Sequence, residues 1–118
     1  MTESNPPPLT PSAFQVLLAL AGGKAHGYGI MGFVNEVTGG SVQLGPGTLC
    51  RTLARLAADG LVEEVPDARE DESHDAQRRY YRLSRQGRQV ATREAELLER
   101  LVFAATDVGL LTRRAETA

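Results

Sequence analysis

Two arginines and two threonines stand on one side of the stretch LGPGTLCRTLARLAADGLVEEV, residues 44–65. With Leu49 as origin and 100° per residue, Leu53 falls at about 40° and Leu56 at about 340°, which makes an oily face. Arg51, Arg55, Thr48 and Thr52 fall at about 200°, 240°, 260° and 300°, on the opposite side. Arginine holds phosphate oxygens and can place two hydrogen bonds on the edge of guanine. Threonine donates to phosphate and packs its methyl group on thymine. Residues 48–58 contain no acid, so no i,i+4 ion pair accounts for the arginines. The face suits a polyanion; the plainer alternative is a solvated helix surface, where arginine is common.

Nucleophilic and metal chemistry find less support. Cys50 sits at about 100° on the same wheel, at the edge of the oily face, which suits a half-buried packing role. A thiol nucleophile needs a neighbouring base, and the histidines, His26 and His74, belong to other segments. A redox role would require surroundings that stabilise the thiolate. One cysteine and two distant histidines make no zinc motif, so neither metal nor cofactor is expected, and no enzyme. His26 reads as a residue at a helix start. With a single cysteine no intrachain disulfide forms, which suits a reducing, cytoplasmic setting.

The elements that must position the arginine face follow from periodicity and from caps. Thr10 as N-cap and Pro11 as first helical residue open helix one. Phe14, Leu17, Leu18 and Ala21 mark its predicted apolar face, and Gly22-Gly23 ends it. Helix two is YGIMGFVNEV, with Ile30 or Met31, Val34 and Val37 on one side. Gly29 and Gly32 weaken it by about 1 kcal/mol each, a cost that makes sense where another backbone packs close. Helix three is the arginine-bearing stretch, with Pro46 near its first turn and Gly60 at its C-terminal cap position. A strand over 61–65 follows, then the polar loop PDAREDESHDAQ, then a strand RRYYRL with Tyr81 and Leu83 on one face and Tyr80 on the other. Ser84 caps a fourth helix that should run to about Thr112.

The expected fold is mainly α with a small β-hairpin: a winged helix-turn-helix followed by a long C-terminal dimerisation helix. Residues 1–9 are expected to be a disordered proline-rich tail, 10–83 a winged-helix DNA-binding domain, and 84–118 the dimerisation helix. In helix-turn-helix proteins the second helix of the pair lies in the major groove, and here that is helix three. The last helix carries an apolar stripe of Val90, Leu97, Leu101, Ala104 or Ala105, Val108 and Leu111, with Leu98 and Val102 beside it. Three short helices and a hairpin are too little to cover it, so it should pair with a second copy. No apolar run spans a bilayer and the N-terminus has no signal-peptide pattern, so no membrane partner is expected.

The net charge of −2 hides a pattern. Glu63, Glu64, Asp67, Glu70, Asp71, Glu72 and Asp75 face only Arg69 between residues 61 and 75, whereas nine arginines face five acids from residue 76 onward. Distribution matters more than the total for a polyanion. The wing tip is therefore expected to point away from DNA or to stay mobile, with Arg78 and Arg79 at the hairpin base touching the backbone. The alternative is a solvated loop without a role.

Four stretches carry a resemblance to PadR-family transcriptional regulators: HGYGI (26–30), GTLCRTLARLAADGLVE (47–63), RRYYRLSRQG (78–87) and the long closing helix. The single short C-terminal helix resembles the smaller branch of the family. The resemblance implies a sequence-specific DNA-binding regulator, a dimeric repressor released by a small and often aromatic effector. Its partners would be a palindromic double-stranded operator and a second copy of itself. It also implies an effector pocket between the long helices, closed by helix one, where Phe14 and Phe103 would stand; plain core packing is the alternative for both. Two departures mark this chain. The family usually has tyrosine where Cys50 stands, and its wing is often short and basic or glycine-rich. The competing function is a winged helix that binds protein and not DNA.

Overall fold

The computed structural model describes residues 9–66 and 79–112. The elements run α1 (Pro11–Ala21), β1 (Ala25–His26), α2 (Gly27–Val37), α3 (Pro46–Ala58), β2 (Val62–Val65), β3 (Tyr80–Leu83) and α4 (Arg85–Asp107). His74, Arg78 and the acids of the expected wing tip lie outside the described residues, as does the expected tail up to residue 8.

Three helices start on side-chain caps. Thr10 Oγ1 accepts from Ala13 N at 3.1 Å, His26 Nδ1 from Gly29 N at 2.9 Å, and Ser84 Oγ from Gly87 N at 2.9 Å. Each occupies one of the amides that a helix start leaves without a partner. His26 is thus the N-cap of α2, in line with its reading as a helix-start residue.

The buried face of α1 differs from the expected one. Ala13, Val16, Leu17 and Leu20 are buried, while Leu18 is 39% exposed and Phe14 and Ala21 are half-buried. Residues 13–21 hold one polar side chain, Gln15, so two apolar stripes satisfy the helical period equally. Contacts with α2, α3, α4 and β3 choose between them. In α2, Ile30 and Val34 are fully buried, but Val37 is 56% exposed. No backbone packs against Gly32, which has open space around it, and a Cβ at Gly29 would meet the His26 side chain, not a neighbouring backbone, at 3.3 Å. The close-approach reading of these glycines is therefore corrected.

The sheet has three antiparallel strands in the order β1-β3-β2, one more than the expected hairpin. Ala25 pairs with Tyr81 and His26 with Tyr80. Two residues are too few to show alternation, so β1 left no periodic signal. β2 starts at Val62, one residue after the expected Leu61, and Arg79 stands outside β3. Tyr81 is buried and Leu83 half-buried on the inward side. Burial pushes the Tyr81 phenol above its ordinary value; the Glu64 charge adds to this, and Arg79 opposes it.

Helix α4 ends at Asp107, short of the expected Thr112. Gly109 at φ 88° adopts the left-handed conformation, and Leu110 N closes back on Ala105 O at 2.8 Å. This is a glycine-terminated helix end. Leu111, expected on the stripe of this helix, lies past the glycine that ends it. The core gathers α1, Ile30, Val34, Leu44, Leu49, Leu53, Leu56, Leu61, Val62 and Tyr81, with Val90 and Ala91 of α4 leaning on it.

Candidate nucleic-acid interface

Helix α3 is seated by its leucines. Leu49, Leu53 and Leu56 are at most 3% exposed, which fixes the rotation of the helix about its axis. Pro46 occupies the first turn, and Gly60 at φ 78° follows the C-cap Asp59. On the outer side Arg51 and Arg55 are exposed, and Thr48 and Thr52 are half-buried. Arg51 Nη2 donates to Thr48 Oγ1 at 3.4 Å, one turn earlier on the same face. Cys50 is half-buried at the edge of the core face, where its angle on the wheel put it.

The wing root is less basic than its arginines suggest. Arg82 Nε lies 3.0 Å from Glu63 Oε1, and Arg79 Nε lies 3.7 Å from Glu64 Oε2. Strand register makes these pairs: Glu63 stands opposite Arg82 and Glu64 opposite Tyr81, next to Arg79. Exposed pairs of this kind are worth little, about 0–1 kcal/mol, so a phosphate can displace the glutamate.

One basic side chain escaped the sequence reading. Lys24, the sole lysine of the chain, precedes β1 and places Nζ 5.4 Å from the centre of the Tyr80 ring. The His26 ring lies 5.2 Å from Tyr80 and 6.3 Å, edge-on, from Tyr28, which is 51% exposed. Pairing of β1 with β3 brings these residues together, so the signal needed the missing strand. The HGYGI stretch carries a motif, whereas Lys24, two residues before it, belongs to none.

Along α4 exposure rises outward. Val90 is half-buried against this chain's own core, and Leu98 and Ala105 are half-buried. Leu97 is 46%, Leu101 58%, Phe103 61% and Val108 73% exposed. Val108 is the C-cap residue, past the last helical turn. Phe14 is half-buried on α1. Among the described residues no three His, Cys, Asp or Glu side chains gather to hold a metal ion. No described helix is long and apolar enough to cross a membrane.

Three helices, a small antiparallel sheet whose edge strand β1 joins α1 to α2, and a projecting final helix define a winged helix-turn-helix protein. The chain belongs to the PadR-like family of transcriptional regulators, whose family model matches residues 16–93. It is similar to a transcriptional regulator from Clostridium thermocellum, with a TM-score of 0.63 and 20% identity over 86% of this chain and 92% of that one. It is likewise similar to a PadR family transcription regulator from Clostridium difficile, with a TM-score of 0.62 and 19% identity over 84% of this chain and 97% of that one. It is 38% identical, over 73% of its length, to an uncharacterized 37.1 kDa protein of transposon Tn4556 from Streptomyces fradiae. The match spans 22% of that protein's length.

Proposed function

We propose that this regulator binds double-stranded DNA as a homodimer, with α3 of each protomer in the major groove of one half of a palindromic operator. The observation that carries this reading is the polarity of α3. Three leucines are buried on one side, and Arg51 and Arg55 are exposed on the other with no acid along the helix. A recognition helix needs this division, since the groove is read by side chains on the face turned away from the core. Thr48 and Thr52 flank the arginines as phosphate or methyl contacts. Arg79, released from Glu64, and Arg78 would hold the backbone beside the wing.

We further propose residues 10–83 as the reading unit and 84–118 as the dimerisation segment. Leu97, Leu98, Leu101, Ala105 and Val108 would meet the partner's α4, while Val90 contributes mainly to its own chain's core. The protein would act as a cytoplasmic repressor released by a small aromatic molecule. Phe103 is 61% exposed, so a pocket using Phe14 and Phe103 needs the second protomer to close it.

Selection of DNA from a random pool, followed by anisotropy titration at several salt concentrations, tests the reading. A palindromic consensus and salt-sensitive affinity support it; retention of protein partners with no sequence selection would favour the protein-binding alternative. A thermal-shift screen of phenolic acids and cationic drugs, with DNA release as the second readout, tests the effector. Absence of any shift would favour a constitutive repressor.

A further inference from the structure

The turn that leads from α3 into β2 is bound directly to the first turn of α4. Ser84 N donates to Leu61 O at 3.0 Å, and Ser84 Oγ donates to Gly60 O at 2.6 Å. The same oxygen accepts from Gly87 N at 2.9 Å. Gly87 is buried, and a Cβ there would run into the Leu61 carbonyl group, whose carbon lies 2.9 Å and whose Cα lies 3.3 Å from that position. These are backbone atoms, which do not rotate away. Gly87 lies inside the helix, so close approach and not unusual conformation is what demands glycine. On the neighbouring side Arg88 Nη2 donates to Ala21 O, the last residue of α1, at 3.1 Å. Ser84–Arg88 therefore holds the ends of both α1 and α3.

We propose that this turn is a positioning joint that sets the separation of the two reading helices in the dimer, and so the half-site spacing the protein selects. The proposal rests on the dimeric DNA-reading function above. Gly87, Ser84 and Arg88 are positioning residues and touch no DNA themselves. From Gly87 to Leu101, at the middle of the exposed stripe, the helix covers about 21 Å at 1.5 Å per residue. A tilt of about 5° at Gly87 moves the Leu101 seam by about 2 Å relative to the reading unit, and two-fold symmetry doubles the change of angle between the two reading helices. A carbonyl wedged by one added methyl group is enough to cause such a tilt. The remaining contacts of α4 with the core, through Val90 and Ala91, stay available to hold the helix in its new position.

The test uses Gly87→Ala, Ser84→Ala and Arg88→Ala in the full chain. First, operators selected by the wild-type protein are rebuilt with the spacer between half-sites shortened or lengthened by one base pair, and affinities are compared. The variants should remain dimeric by light scattering, yet move the preferred spacer by one base pair or lose the preference. Second, spin labels are placed at Arg55→Cys and Arg93→Cys in a Cys50→Ser chain, and the labelled chain is diluted with unlabelled protein. The distance should be narrowly distributed in the parent and shifted or broadened in the joint variants. If Gly87→Ala does not fold, Ser84→Ala and Arg88→Ala carry both readouts. Folded variants with unchanged distance and unchanged spacer preference overturn the joint. A wild-type protein that selects no DNA sequence overturns the proposed function instead, and the label distance still decides whether the turn fixes α3 against α4.

Discussion

Leu101→Ala should loosen the dimer by an amount the structure allows to be worked out. Fully burying a leucine side chain is worth about 1.5–3 kcal/mol. Leu101 is 58% exposed in the single chain, so somewhat more than half of that gain is still to be made on pairing. Alanine keeps part of the area, but the change occurs in both protomers. The expected loss is about 1.5–3 kcal/mol of dimer stability, or a dissociation constant about 10–150-fold weaker. Sedimentation equilibrium over a dilution series measures this directly. The melting temperature of the separated chain should hardly move, because the lost methyl groups touch little of its own core. Leu101→Ala with an unchanged dissociation constant, or a wild-type chain that is monomeric at micromolar concentration, would refute the assignment of α4 as the dimer seam.

Leu53→Ala should behave in the opposite way: it empties a site that is 3% exposed and should lower folding stability by about 2–5 kcal/mol in chemical denaturation. Tyr81 links stability to alkaline pH. Its folded phenol is raised by burial and by Glu64, so its contribution is fully present below the unfolded value near 10 and is lost as pH rises through the folded value. The melting temperature of wild type should therefore fall on raising the pH above about 10 more steeply than that of Tyr81→Phe; parallel curves would remove Tyr81 from the account. Neutralising Asp67, Glu70, Asp71, Glu72 and Asp75 with Ser, Asn and Gln should tighten binding to random DNA and shrink the specificity ratio, most visibly at low salt.

Much of this fold is legible in the sequence where a local rule has one answer. Thr10 and Ser84 announce helix starts because their oxygens fit a cap, and the α3 wheel is right because leucine and arginine alternate with the helical period. The face of α1 is not legible, since AFQVLLALA is apolar nearly all round and tertiary contact decides. Strand β1 is too short for a pattern and exists only because Tyr80 and Tyr81 lie opposite it. The pairs Arg82–Glu63 and Arg79–Glu64, which temper the basic wing root, depend on strand register. Lys24 joins the candidate site only through that sheet. The joint at Gly87 looks like a weak helix position in sequence, and its meaning appears only when Leu61 is seen against it.

The most direct test of the central claim is the binding of Arg51→Ala and Arg55→Ala to the operator selected by wild type, measured by anisotropy at matched salt beside binding to random DNA. Where an arginine reads a base, its loss should cost about 1–3 kcal/mol and relax preference at that position. Where it holds phosphate, affinity should fall on all sequences and the salt dependence should become shallower. If both variants fold, dimerise and bind the operator as the wild type does, α3 is not the reading helix and the account is wrong.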